Sequence, residues 1–195
     1  LRTDDLEISL LDTPGHVDFS AEMERTLQVL DYAILVVSGM DGVQGHTRTL
    51  WKLLERYQVP TYLFINKMDQ QGTDPAGLMT EIKEKLSDNC TNFGTEDKSS
   101  IYESAALCEE ALLNQYLEQG EISDRDIARL IVERKIFPCY FGSALKMDGV
   151  KSLLDGIRNY GMCPEFGTEL GARVFKILRD TQGSRLTYVK ITGGA

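Results

Sequence analysis

Apolar runs alternate with amphipathic stretches along this chain. Residues 6–11, 32–37, 61–65 and 136–141 are short and rich in Leu, Ile, Val, Tyr and Phe, and each reads as a strand. The second and third are apolar throughout rather than at every other position. That pattern predicts strands covered on both faces, as in a parallel sheet. Pro138 lacks a backbone N–H and cannot donate to a ladder, so the fourth run is expected at a sheet edge.

Between these runs the spacing turns helical. Phe19, Met23, Leu27 and Leu30 recur at three to four residues, as do Leu50, Leu53, Leu54 and Tyr57, and then Val150, Leu153, Leu154 and Ile157. Asp74-Pro75 places a capping carboxylate before a proline at the first helical position and opens a helix to about Ser87. Ser123 followed by Asp126 resembles a capping box, with Asp in place of Glu, ahead of Ile127, Leu130 and Ile131. Strand and helix in alternation predict an α/β fold with a mostly parallel sheet. The last thirty residues change character. Two strand-like runs, 173–178 and 185–192, flank the turn Asp180-Thr181-Gln182-Gly183 and read as a β-hairpin. A lone hairpin is marginal, so it is expected to open a second, all-β domain.

Composition narrows the function classes. Thirty acidic residues against 21 basic ones give a net charge of −9, and no window is rich in Lys or Arg. Direct binding to DNA by this segment is disfavoured, because phosphate affinity comes from clustered cations. Cys90, Cys108, Cys139 and Cys163 form no Cys-x-x-Cys pair, and His16 and His46 are the only histidines, so zinc-type spacing is missing. Reduced, mostly buried thiols in a cytoplasmic protein are the expectation. No apolar stretch reaches the ~20 residues that span a bilayer, so no membrane association is expected. The chain starts at Leu1 rather than Met and reads as a piece of a longer protein.

The candidate chemistry lies where three strands end. The first runs into Asp12-Thr13-Pro14-Gly15-His16, the third into Asn66-Lys67-Met68-Asp69, and the fourth into Gly142-Ser143-Ala144-Leu145. In open α/β sheets, ligands bind beyond the carboxyl ends of the strands, so the three loops are expected to share one crevice. Singly, the first could be an ordinary turn and the second a helix cap. Three such loops in this order, each after a strand, are not explained by turn composition.

Those three loops resemble the third, fourth and fifth nucleotide motifs of translational GTPases. Asp12-Thr13-Pro14-Gly15-His16-Val17-Asp18-Phe19 and Asp41-Gly42-Val43-Gln44 are similar to elongation factor G and its relatives. Within that group the similarity is greatest to the tetracycline-resistance ribosomal protection proteins. It rests on Thr47-Arg48, on residues 82–87, on Val174-Phe175-Lys176-Ile177 and on Gln182-Gly183-Ser184-Arg185-Leu186. The resemblance implies an incomplete P-loop GTPase domain over residues 1–165, with a helical insertion at about 88–135, and the first hairpin of a translation-factor β-barrel over 166–195. It implies GTP and Mg2+ as ligands, and the ribosome as partner, contacted mainly through other parts of the parent protein. The parent would hydrolyse GTP and dislodge tetracycline. In an elongation factor G type protein the same cycle would drive translocation, and in a release factor type it would recycle termination factors. A reading of another class is a non-catalytic structural or interaction module.

Residue chemistry assigns the roles. Asp69 offers two carboxylate oxygens to the adjacent N–H donors of guanine, a pair that adenine lacks. Asn66 can tie neighbouring loops together, and the Lys67 stem can lie over the base plane. Ser143, Ala144 and Leu145 would supply backbone N–H to the base oxygen. By resemblance, Asp12 contacts magnesium, through water, and Pro14 and Gly15 line the γ-phosphate. Gly15 lacks Cβ, so its N–H can approach closely. His16 holds the position that orients the attacking water, where signalling GTPases use Gln. His46 is read as an exposed surface residue.

The phosphate loop of this class needs Gly-Lys before Ser or Thr, yet none of the ten lysines follows a glycine. The first strand, the phosphate loop and the first switch are therefore expected upstream of Leu1. The first strand of the family lies mid-sheet, so a gap is expected between the strands ending at Leu11 and Val37. Direct pairing, exchange with another copy or an exposed edge could each resolve it.

Overall fold

A computed structural model describes residues 6–13, 20–95, 97–164 and 166–194. They fall into two compact units, residues 32–162 and the described residues on either side of them.

The larger unit is an α/β sheet domain. Its strands are β1 (Ala33–Ser38), β2 (Thr61–Asn66), β3 (Cys90–Asn92) and β4 (Phe137–Phe141), parallel throughout and ordered β1-β2-β4-β3. Helix α2 (Gly45–Arg56) links β1 to β2, and α3 (Pro75–Lys85) links β2 to β3. Helices α4 (Ser99–Ala106), α5 (Glu110–Gln119) and α6 (Asp124–Val132) fill the connection to β4, and α7 (Val150–Tyr160) follows it. The fold class read from the sequence is the one observed.

Both helix starts read from the sequence are capped as expected. The Asp74 carboxylate accepts from the Ala76 N–H at 3.1 Å, ahead of Pro75. Ser123 Oγ accepts from the Asp126 N–H at 3.1 Å and donates to the Asp126 carboxylate at 2.5 Å. Each cap satisfies a donor that the helix cannot.

The sheet is sandwiched unevenly. On one face Tyr62, Phe64 and Tyr140 pack with Ile101, Ile127, Leu130, Ile131 and Leu153 of the helices. On the other face Trp51 of α2 meets Phe137 edge-on at 4.7 Å between centroids. Every residue from Thr61 to Ile65 is buried, so β2 is covered on both faces as its apolar run predicted. For β1 that expectation fails. Leu35 and Val37 are buried, but Ile34 is 37% and Val36 57% exposed. The helical cluster reaches over β2 and β4 and includes no residue of β1, so one β1 face is left open.

Two further expectations are corrected. The fourth strand is not an edge: β4 lies between β2 and β3. Its bonds to the β3 side use the Phe137 N–H, given to Asn89, and the Cys139 carbonyl, which accepts from Phe93. Pairing with β2 starts only at Leu63↔Cys139, one residue beyond Pro138, so the missing donor interrupts neither ladder. Residues 6–11 form no strand beyond a single bridge at Glu7, and Leu10 is 64% exposed. An apolar run becomes a strand only where a partner offers a ladder. Among the described residues β1 ends the sheet, on the side where the sequence reading placed a gap.

Two polar clusters that the sequence did not announce hold the domain together. Arg134, in the left-handed region at φ 57°, lies over the rings of Trp51 and Phe137. It donates to the Val59 carbonyl and to Thr61 Oγ1, pinning the start of β2. Glu109 takes a bidentate pair from Arg129 at 2.9 Å and a third contact from Lys135 at 2.7 Å. Those donors hold its carboxyl down at about 2, the Arg129 bonds contributing most.

In the smaller unit, strands β5 (Gly171–Arg179) and β6 (Arg185–Gly193) form the expected antiparallel hairpin, with Arg179 opposite Arg185. The Asp180 carboxylate accepts from the Gln182 and Ser184 N–H groups and shapes the turn. Helix α1 (Ser20–Leu27) packs on β5 and buries Met23 and Leu27. Arg173 and Lys190 donate to the carbonyls of Gln28 and Val29 just past that helix, where cations complement the negative end of its dipole. Of the four free cysteines, Cys90 and Cys139 are buried, Cys108 is half-buried and Cys163 is exposed.

Candidate functional site

Strands β2 and β4 are parallel neighbours, so the segments that follow them emerge side by side. Asn66 is the last residue of β2, and Gly142 follows β4. The junction is stitched by backbone bonds: the Gly142 N–H donates to Ile65 and the Met68 N–H to Gly142. Asn66 completes it. Its side-chain oxygen accepts from the Lys67 N–H at 2.8 Å and the Ala144 N–H at 2.9 Å, so one amide fixes both loops.

Each loop also closes on itself. Lys67 sits at φ +66°, which costs a non-glycine residue roughly 1–2 kcal/mol, and the Asn66 contact holds it there. Thr73 Oγ1 donates to the Met68 and Gln70 carbonyls and ties the far end of the first loop. The second loop is a tight return in which Ser143 and Asp148 exchange both backbone bonds at 3.0 Å. It needs glycine on either side. A Cβ on Gly142 would stand 2.2 Å from the Asp148 carbonyl oxygen. One on Gly149, already at φ +71°, would stand 2.3 Å from that of Phe141. The turn after β1 braces the first loop, with the Gly39 N–H on the Asn66 carbonyl at 2.7 Å.

Asp69 lies at the centre of this arrangement. The Ser143 hydroxyl donates to its carboxylate and holds it below the usual carboxylate range, with Lys146 adding to the effect. Lys146 Nζ stands 3.3 Å from Asp69 Oδ2, and the two side chains are 62% and 22% exposed. Ser143 itself is buried. Of the three backbone donors expected to face a base, two have partners inside the protein. The Ser143 N–H serves Asp148 and the Ala144 N–H serves Asn66. Among the described residues the Leu145 N–H has none, and its side chain is 91% exposed.

The sequence-predicted residues thus divide. Asn66, Lys67, Asp69, Ser143, Ala144 and Leu145 are gathered at one end of the sheet. Asp12 is exposed and belongs to the other unit. Pro14, Gly15 and His16 lie outside the described residues. No group of three or more His, Cys, Asp or Glu side chains that could hold a metal occurs among the described residues. His46 is half-buried rather than exposed, and both ring nitrogens are buried with no hydrogen-bond partner among the described residues. Lys146, Asp148 and Gly149 were missed. The only signal for them was two glycines, Gly142 and Gly149, flanking a six-residue run.

The sequence matches the family described as Elongation factor Tu GTP binding domain over residues 1–161. It is 34% identical over 209 residues to the tetracycline resistance protein TetO of Streptococcus mutans, covering 98% of this chain and 33% of that protein. It is 36% identical over 206 residues to the tetracycline resistance protein TetM from transposon Tn5251 of Streptococcus pneumoniae, covering 96% and 32%. An oxytetracycline resistance protein of Streptomyces rimosus matches at 32% over 218 residues. The chain therefore spans about a third of the length of these curated relatives. A crystal structure from Thermus thermophilus superposes with a TM-score of 0.79 at 23% identity, covering 94% of this chain and 35% of that one, and shows the same fold. Among the described residues, no helix is long and apolar enough to cross a membrane.

Proposed function

The chain belongs to the elongation factor Tu GTP-binding domain family, and on that footing we propose that its 66–69 and 143–148 loops read the guanine base of GTP. The observation that carries this is the Asn66 amide oxygen joining the two loops, with an ionised Asp69 and an uncommitted Leu145 N–H beside the joint. Asp69 accepts the two adjacent N–H groups of guanine, and the Leu145 N–H donates to the base oxygen. The Ser143 hydroxyl orients the Asp69 carboxylate, and the Lys67 stem covers the base plane.

For the parent protein the reading is a ribosome-associated, cytoplasmic GTPase of the ribosomal protection kind, with residues 1–165 as most of its GTP-binding domain and 166–195 opening a β-barrel. Pro14 and Gly15 line the γ-phosphate, His16 orients the attacking water, and Asp12 holds magnesium through water. Bound magnesium would neutralise charge that develops on the phosphates. The elongation factor G type of cycle is the second reading, supported by the similarity of residues 12–19 to that group.

Two experiments test this. Guanosine, adenosine and xanthosine are titrated into the chain and into its Asp69→Asn variant by NMR. Selectivity for guanosine, shifted toward xanthosine by the amide, supports the base site, and equal response to guanosine and adenosine refutes it. The full-length gene is then expressed in a tetracycline-sensitive bacterium, where unchanged drug tolerance would remove the ribosomal protection reading.

A further inference from the structure

One side chain beside the base-reading carboxylate was assigned no role by the sequence. Lys146 belongs to the same tight return as Ser143 and Asp148, and its ammonium stands 3.3 Å from Asp69 Oδ2. A carboxylate has about four lone-pair sites. Guanine requires two that lie side by side, one on each oxygen, while Lys146 stands on Oδ2 and hydrogen bonding from Ser143 draws on the same carboxylate. The ammonium therefore stands on one of the two oxygens that the base must use. The lysine is largely open to water and the carboxylate partly so, and a surface pair of this kind forms and breaks readily. Its lysine rides on a loop whose backbone is fixed at both ends by Ser143 and Asp148, so only the flexible side chain has to move.

We propose that Lys146 is a positioning residue that occupies Asp69 when no base is present and withdraws when guanine arrives. This rests on the base-site reading above. Guanine binding then becomes an exchange, in which one partner of the carboxylate is replaced by another. The lysine keeps the carboxylate oriented in the empty protein and lowers the affinity for the base, which favours nucleotide release.

The consequence has an unusual sign. Guanosine is neutral, so salt should hardly affect its own attraction to the site, but salt weakens the competing ion pair. Guanosine is titrated by NMR into the 195-residue chain and into Lys146→Gln and Lys146→Arg variants, at about 0.01 M and about 0.15 M ionic strength. The Lys146→Gln variant should bind guanosine about two- to five-fold tighter at low salt, the range a surface pair can supply. The original chain should tighten as salt rises, the Gln variant should not respond, and the Arg variant should behave like the original. Without ligand, the Asp69 carboxyl should titrate at higher pH in the Gln variant than in the Lys and Arg forms. Guanosine selectivity with unchanged or weaker binding by Lys146→Gln overturns this inference alone. Loss of selectivity for guanosine over adenosine in the original chain overturns the base-site reading and this inference with it.

Discussion

Strand β2 and the β5–β6 hairpin are both apolar, yet they stand in opposite conditions. From Thr61 to Ile65 every β2 residue is buried between two helical layers. In the hairpin, Val174, Ile177, Leu178, Leu186, Tyr188, Val189 and Ile191 are all more than a third exposed. The same kind of residue thus contributes to stability in one place and little in the other, since the hydrophobic effect scales with area removed from water. The candidate site grows from the buried strand. Loops that must hold an amide and a carboxylate within tenths of an ångström are rooted where the backbone is least free to open.

The contrast can be broken most severely in the core. Leu130→Ala removes a fully buried side chain and should lower unfolding free energy by about 2–5 kcal/mol, read from denaturant melts. Ile177→Ala on the hairpin should cost well under half as much, and equal losses would contradict the contrast. Next in size is Gly149→Ala, which sets a Cβ against the Phe141 carbonyl at positive φ. It should cost about 1–3 kcal/mol and blur the amide signals of residues 143–148.

Asn66→Ala sharpens the comparison at the site itself. Two hydrogen bonds are lost at the surface end of a buried strand, so stability should fall by only about 1–2 kcal/mol. Guanosine binding should weaken by roughly an order of magnitude or more, because the two loops lose their shared anchor. A variant that binds guanosine normally would show that the amide bridge is incidental.

The smallest effect concerns acid. Glu109 is held at about 2 against an ordinary value of 4.5 by Arg129 and Lys135. Because the folded value is depressed, the contribution is present above 4.5 and is lost as pH falls toward 2. Glu109→Gln should therefore flatten the acid limb of stability in that window and change little at neutral pH, a difference that melts at about pH 3 and about pH 7 would reveal.

Local signals in the sequence were enough for the helix starts at Asp74 and Ser123, the hairpin turn at Asp180, and the two loops at 66–69 and 143–145. Each depends on residues a few positions apart, where side-chain chemistry and backbone preference act before the chain folds. The tertiary structure decided what depends on partners. Residues 6–11 are as apolar as a strand and form none, because a ladder needs a neighbour. Pro138 sits inside the sheet because the β2 pairing begins one residue beyond it. Ile34 and Val36 stay exposed although their run reads as buried, since the helical layer passes over β2 instead. Lys146 meets Asp69 across 76 intervening positions for the same reason: parallel pairing of β2 with β4 puts their ends side by side. Pattern within a segment sets which local structures are open to the backbone; contact between distant segments sets which of them are covered, paired or brought to one site.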